Sequence, residues 1–161
     1  MNKEEVVRLE ASKEWAELEG LIMRMKVEEH SAYRELGKLN GELPKVLVDW
    51  AKGNVSRQKV NKVKARIGEL QELIKDLPLI LKELEVQKRR LCYNALQEAC
   101  VLSKERGKYK TLKEMIFEHF EAALAEDLRR CAKDIGEEED CEKFLACVSP
   151  ELLCDLKKSK S

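Results

Sequence analysis

The residues with the most versatile chemistry in this chain are six cysteines: Cys92, Cys100, Cys131, Cys141, Cys147 and Cys154. None stands in a C-x-x-C pair, and all fall in text that reads as helix. The opening residues Met-Asn-Lys-Glu-Glu lack the apolar core of an export signal. Reduced thiols acting as small hydrophobes are therefore expected, rather than a disulfide framework. A sharper alternative is metal binding. Cys131 and Cys141 flank an acidic run, and Cys147 and Cys154 lie seven apart beyond it. Four ligands drawn from these and His119 would satisfy a tetrahedral zinc ion. The spacing matches no zinc ribbon or finger pattern, so the hydrophobic reading is preferred and no cofactor is expected.

A second constellation is basic. Arg57, Lys59, Lys62, Lys64 and Arg66 place five cations within ten residues. Arg57 and Lys64 lie a heptad apart, as do Lys59 and Arg66, so the run could track phosphates. Only Trp50 is near enough in sequence to stack on a base. Nucleic-acid contact is thus the alternative, and a solvated helix face the preferred reading.

Catalytic motifs are missing. There is no Gly-rich phosphate loop, no H-E-x-x-H and no G-x-S-x-G. His30 follows Glu28 and Glu29 on a polar face, and His119 sits on an apolar stripe as a core histidine would. A non-enzymatic protein is expected.

The elements that must carry these residues are long helices. The chain has 161 residues, 39% of them charged, with only 7 Gly and 3 Pro. Its 31 basic and 31 acidic residues cancel, but unevenly. Residues 1–52 carry 9 and 11, residues 53–106 carry 12 and 7, and residues 107–161 carry 10 and 13, giving −2, +5 and −3. An apolar content of 43% argues against disorder. No apolar run approaches the roughly 18 residues of a membrane span, and a cytoplasmic location is expected.

Two segments show apolar residues at alternating spacings of 4 and 3. The first series is Ala11, Trp15, Leu18, Ile22, Met25, Glu29, Ala32, Leu36, Leu39, Leu43, Val46 and Trp50. The second is Val60, Val63, Ile67, Leu70, Ile74, Leu77, Leu81, Leu84, Lys88, Leu91, Ala95, Glu98 and Leu102. This is the period of supercoiling helices. Asn2 with Glu5 reads as an N-cap, Gly53-Asn54 as a breaker, Ser56 as the next cap and Gly107 as the end of the second run. Equal arms about a tight turn predict an antiparallel coiled-coil hairpin over 1–107.

The slots predict a register in which residue i faces residue 106 − i, mirrored on Gly53. Trp50 then faces Ser56, Leu39 faces Ile67 and Ile22 faces Leu84. Arg8 falls opposite Glu98. Lys88 falls opposite Leu18, with Glu17 and Glu19 beside it for its ammonium. Pro44, after Asn40-Gly41, predicts a break or kink near 40–44, and Pro78 predicts a kink in the second arm.

Residues 108–135 predict a third helix with a broad stripe, from Leu112 and Met115 to Leu128 and Cys131, packed on the open end of the hairpin. Leu79, Val86, Tyr93 and Cys100 form the matching stripe on the second arm. Short helices are expected at 141–148 and from Ser149-Pro150 onward, so residues 108–161 complete one structural unit with the hairpin.

The fold class is therefore all-α: a long kinked antiparallel hairpin with a third helix and short C-terminal helices. In architecture it resembles the small helical-hairpin proteins of bacterial secretion systems and prophages, some of which are chaperones or stalk components. The expected role is an assembly, scaffold or chaperone-like module that presents a helical surface to a protein partner or to itself as a homodimer. The expected contacts lie at the tip: Leu47, Val48, Trp50, Arg57 and Val60.

Overall fold

Both arms form as single helices, each started and stopped by local hydrogen bonds that the sequence encodes. The computed structural model describes residues 2–105, 111–120 and 122–133. Helix α1 spans Lys3–Ala51 and α2 spans Arg57–Glu105, followed by α3, Leu112–His119, and α4, Ala122–Lys133. At the start of α1, Asn2 Oδ1 accepts from the Glu5 amide at 2.9 Å, and the Glu5 carboxylate accepts from the Asn2 amide at 3.0 Å. This reciprocal box satisfies two donors that the first turn would leave unpaired.

The turn follows the same logic. The Asn54 amide donates to the Asp49 carbonyl and the Gly53 amide to the Trp50 carbonyl, both at 2.9 Å. That is the Schellman pair of bonds, which needs a residue of positive φ after the C-cap. Gly53 supplies it at φ +78°. Ser56 Oγ then accepts from the Lys59 amide at 3.3 Å and opens α2.

Of the break or kink expected near 40–44, the break does not occur. Pro44 and Pro78 both lie inside uninterrupted helix. Each ring is exposed, while the apolar residues beside them, Leu43 and Leu77, are withdrawn from solvent. Seam packing on either side holds the helix through the lost donor, a common outcome where tertiary packing outweighs local propensity.

The chain divides into two compact units, and the division cuts across both arms: Met1–Gly20 with Glu85–Ser161, and Leu21–Leu84. In the second, turn-proximal unit the two helices pack antiparallel through a seam. Its buried apolar residues are Ile22, Ala32, Val60, Ile67, Leu70, Leu77 and Leu84, every one a heptad slot. The predicted register holds at the turn, where Arg57 reaches Trp50, one position from the facing residue Ser56. Glu35 and Arg66 each precede an a slot of the heptad, so they share one flank of the seam. Arg66 Nε and Nη2 indeed donate to the two Glu35 oxygens at 2.8 and 2.9 Å.

The open-end unit is layered. Cys92, Tyr93, Leu96 and Cys100 of α2 meet Leu112, Met115 and Ile116 of α3 and Leu124, Leu128 and Ala132 of α4 in one core, with Ala11 and Trp15 of α1 against it. The register holds in this unit too, because Lys88 reaches Glu19 at 2.5 Å. Arg8 and Glu98 are both exposed and form no ion pair among the described residues.

The expected single helix over 108–135 is two helices. Phe120 is extended, at φ −123° and ψ 151°, and its amide donates to the Ile116 carbonyl as a C-cap. Phe120 is 8% exposed. The break lets Met115 and Ile116 on one side and Leu124 and Leu128 on the other enter the same core. Two helices of eight and twelve residues also cover less of α2 than one of 28 would. Tyr93 and Cys100 are accordingly buried, whereas Leu79, assigned to the same stripe, is 68% exposed. Gly107 and the short helices expected at 141–148 and after Ser149 lie outside the described residues.

Candidate interaction surface and a buried charge node

The tip residues separate by heptad position. Val60 is 0% exposed and fills the seam. It is therefore unavailable to a partner, which corrects its assignment as a contact residue. Leu47 is half-buried beside the seam, and Val48, on the outward position, is 51% exposed. Trp50 is 42% exposed. Its facing residue Ser56 is too small to cover it, as the register implied. Arg57 instead lies over the indole, its guanidinium carbon 4.7 Å from the ring centre. This cation–π contact shields one face of the ring and leaves an amphipathic knob.

Further exposed apolar side chains belong to the same unit: Met23, Val27, Tyr33, Leu79 and Ile80. They lie off the seam slots, so seam formation does not cover them.

The basic run does not form one stripe. Arg57 and Lys64 occupy one flank of the seam, and Lys59 and Arg66 the other, because heptad positions e and g lie on opposite sides of the a/d stripe. All five cations, Lys62 included, are exposed. Arg66 is committed to Glu35 and to Glu69 at 3.2 Å. Hydrogen bonding from Arg66, acting against some desolvation, holds the Glu35 carboxyl below its ordinary range. The carboxylate and Arg57's stacking leave fewer cations for a polyanion than the sequence count suggests.

Asp127, on α4, is the residue that sequence reasoning missed. Its Oδ2 accepts from Trp15 Nε1 at 2.7 Å and meets Lys88 Nζ at 3.1 Å. One carboxylate thereby ties α4 to both long helices. Lys88 also pairs with Glu19 and lies 5.8 Å from the centre of the Trp15 ring. Burial acts to lower the Lys88 ammonium pKa, but hydrogen bonds to Glu19 and Asp127 outweigh it and raise it above the ordinary lysine value. The clue in sequence was the lysine itself, a charge in an apolar slot. Glu19 was legible as a partner from the register. Asp127 was not, since it depends on where α4 folds back.

Beside this node is a cleft of about 280 Å³ lined by Glu85, Lys88, Arg89, Cys92, Asp127, Arg130 and Cys131. Cys92, Cys100 and Cys131 are buried free thiols, as the hydrophobic reading expected of them. Among the described residues no group of three or more His, Cys, Asp or Glu side chains could hold a metal ion. Of the suggested ligands, Cys141, Cys147, Cys154 and the His119 side chain lie outside the described residues. His30 is exposed, 3.4 Å from an Arg34 nitrogen. Within the described residues no helix is long and apolar enough to cross a membrane.

Comparison with known protein families, characterised proteins and solved structures finds no match to this chain.

Proposed function

We propose that the chain is a non-enzymatic coiled-coil interaction module, a scaffold or chaperone-like protein of the cytoplasm, whose turn-proximal unit pairs with a second copy of itself. One observation carries this reading. Residues 21–84 keep their seam filled yet leave Met23, Val27, Tyr33, Val48, Trp50, Leu79 and Ile80 exposed. Two hairpins laid side by side as a four-helix bundle would cover such residues. Scattered apolar side chains are ordinary on protein surfaces; this many on one two-helix unit favours an interface.

Light scattering across a concentration series tests it. A dimer that dissociates when Val48 and Trp50 are both changed to serine supports the proposal. A monomer at concentrations up to about 100 µM, far above the dissociation constant of a functional dimer, sinks self-association. Binding through the basic run is the alternative, and it predicts a salt-sensitive shift of a nucleic-acid strand by the chain.

A further inference from the structure

Two of the buried thiols share a wall. Cys92 on α2 and Cys131 on α4 both line the cleft beside the charge node. The residue next to Cys92 fixes their approach: Tyr93 Oη donates to the Cys131 carbonyl at 3.2 Å, holding the end of α4 against α2. Hydrogen bonding to the Cys131 side chain first, and burial second, push the Cys92 thiol far above its ordinary pKa. Cys131 is 8% exposed against 1% for Cys92, so it is the more accessible sulfur. Lys88, Arg89 and Arg130 line the same cleft with Glu85 and Asp127; the cations favour a thiolate there and the carboxylates oppose it. Cys100, the third buried thiol, faces Met115 at 3.6 Å and is not among the cleft residues.

We propose that Cys92 and Cys131 form a reversible oxidation site, closing to an intramolecular disulfide that ties α4 to α2 when a hydroperoxide enters the cleft. The Cys131 thiolate attacks one peroxide oxygen, the O–O bond breaks, and Cys131 becomes a sulfenic acid while the other oxygen leaves as water. Cys92 then gives up its proton, and its sulfur displaces the sulfenic oxygen, which leaves as a second water. Two thiols are oxidised by two electrons and one hydrogen peroxide is reduced to two waters. A dithiol reductant reverses the bond by exchange. Closure adds a covalent tie where Asp127 and Tyr93 already hold α4, so the open-end unit resists opening more when oxidised.

The test is peptide mapping of the full chain. Folded protein is treated with stoichiometric hydrogen peroxide, its remaining thiols are alkylated in denaturant, and trypsin releases residues 91–104 and 131–133 as separate peptides. The expected product is a linked pair joined at Cys92 and Cys131, lost on reduction; chymotryptic cleavage after Tyr93 parts Cys92 from Cys100, and any Cys100–Cys131 link should be below about a tenth of it, because exchange and closure follow thiol access. In Cys92→Ser, the Cys131 sulfenic acid should persist and react with dimedone. In Cys131→Ser, Cys92 should stay fully alkylatable. Two results would overturn the site: Cys92 and Cys131 both alkylated after peroxide, or a link between them that appears only when the chain is oxidised in urea. Mapping of the unmutated chain decides the matter even if either serine variant folds poorly.

Discussion

The turn-proximal and open-end units are built from the same two helices, yet they are held by different physics. In the first, burial is one-dimensional: seven buried residues, all seam slots, and ion pairs confined to exposed flanks. In the second, α3 and α4 add a layer, the core spreads to Tyr93, Leu96 and Cys100 on a second face of α2, and charge moves inside at Lys88 and Asp127. A seam buries enough to set register but leaves the outer faces wet. A third layer buries both faces of α2 and can then hold polar groups in fixed geometry, where their interactions are stronger and their loss costs more.

The sharpest way to break this contrast is a matched pair of core truncations. Leu96→Ala in the layered core should cost about 4 kcal/mol, and Ile67→Ala in the seam about 2 kcal/mol, because a two-helix seam can collapse around the lost methylenes more readily. Urea denaturation followed by circular dichroism measures both, and equal losses would remove the distinction. Next in size, Asp127→Ala leaves the Trp15 N–H and Lys88 without their shared acceptor. A loss of about 3 kcal/mol is expected, with Asp127→Asn recovering part of it by accepting from Trp15. A loss within about 0.5 kcal/mol, the range of ordinary surface changes, would show that the node contributes little.

The node also has a pH signature. The folded pKa of Lys88 is raised, so its contribution is fully present below the unfolded lysine value of about 10.4 and fades as pH rises through the higher folded value. Melting temperatures should fall more between pH 9 and about 11.5 in the unmutated chain than in Lys88→Met; identical slopes would exclude Lys88 as the cause. The smallest effect belongs to the exposed flank. Glu35 has a lowered carboxyl pKa, so its pairing is present above the unfolded value and lost as pH falls through the folded one. Because this pair is solvent-exposed, Glu35→Gln should leave the melting temperature unchanged at 0.15 M salt. A clear drop there would mean that flank charges matter as much to the seam as the buried charges do to the node.

Much of this was readable before the structure. Apart from Trp50 and Glu98, every heptad slot is buried or half-buried. Asn2, Glu5, Gly53 and Ser56 do at the helix ends what their types suggested. The start of α3 was also encoded, in Thr111 and Glu114: Thr111 Oγ1 accepts from the Glu114 amide at 3.2 Å. The end of α3 was not. Phe120 is neither Gly nor Pro, and its stripe continues in phase from Ile116 to Leu124, so nothing local marks the break.

By itself, then, the sequence determined which residues are helical in the two arms, where they turn, and how they are registered. Those properties follow from capping bonds within a few residues and from an apolar period repeated many times, and both are local or cumulative signals. Tertiary structure alone decided that the segment after α2 folds as two helices, that Asp127 reaches Trp15 and Lys88, and that Cys92 and Cys131 line one cleft. Each of these joins groups 38 or more residues apart or trades helix continuity for burial. The balance is struck by how much apolar surface the folded-back layer can cover, which no short stretch of chain records.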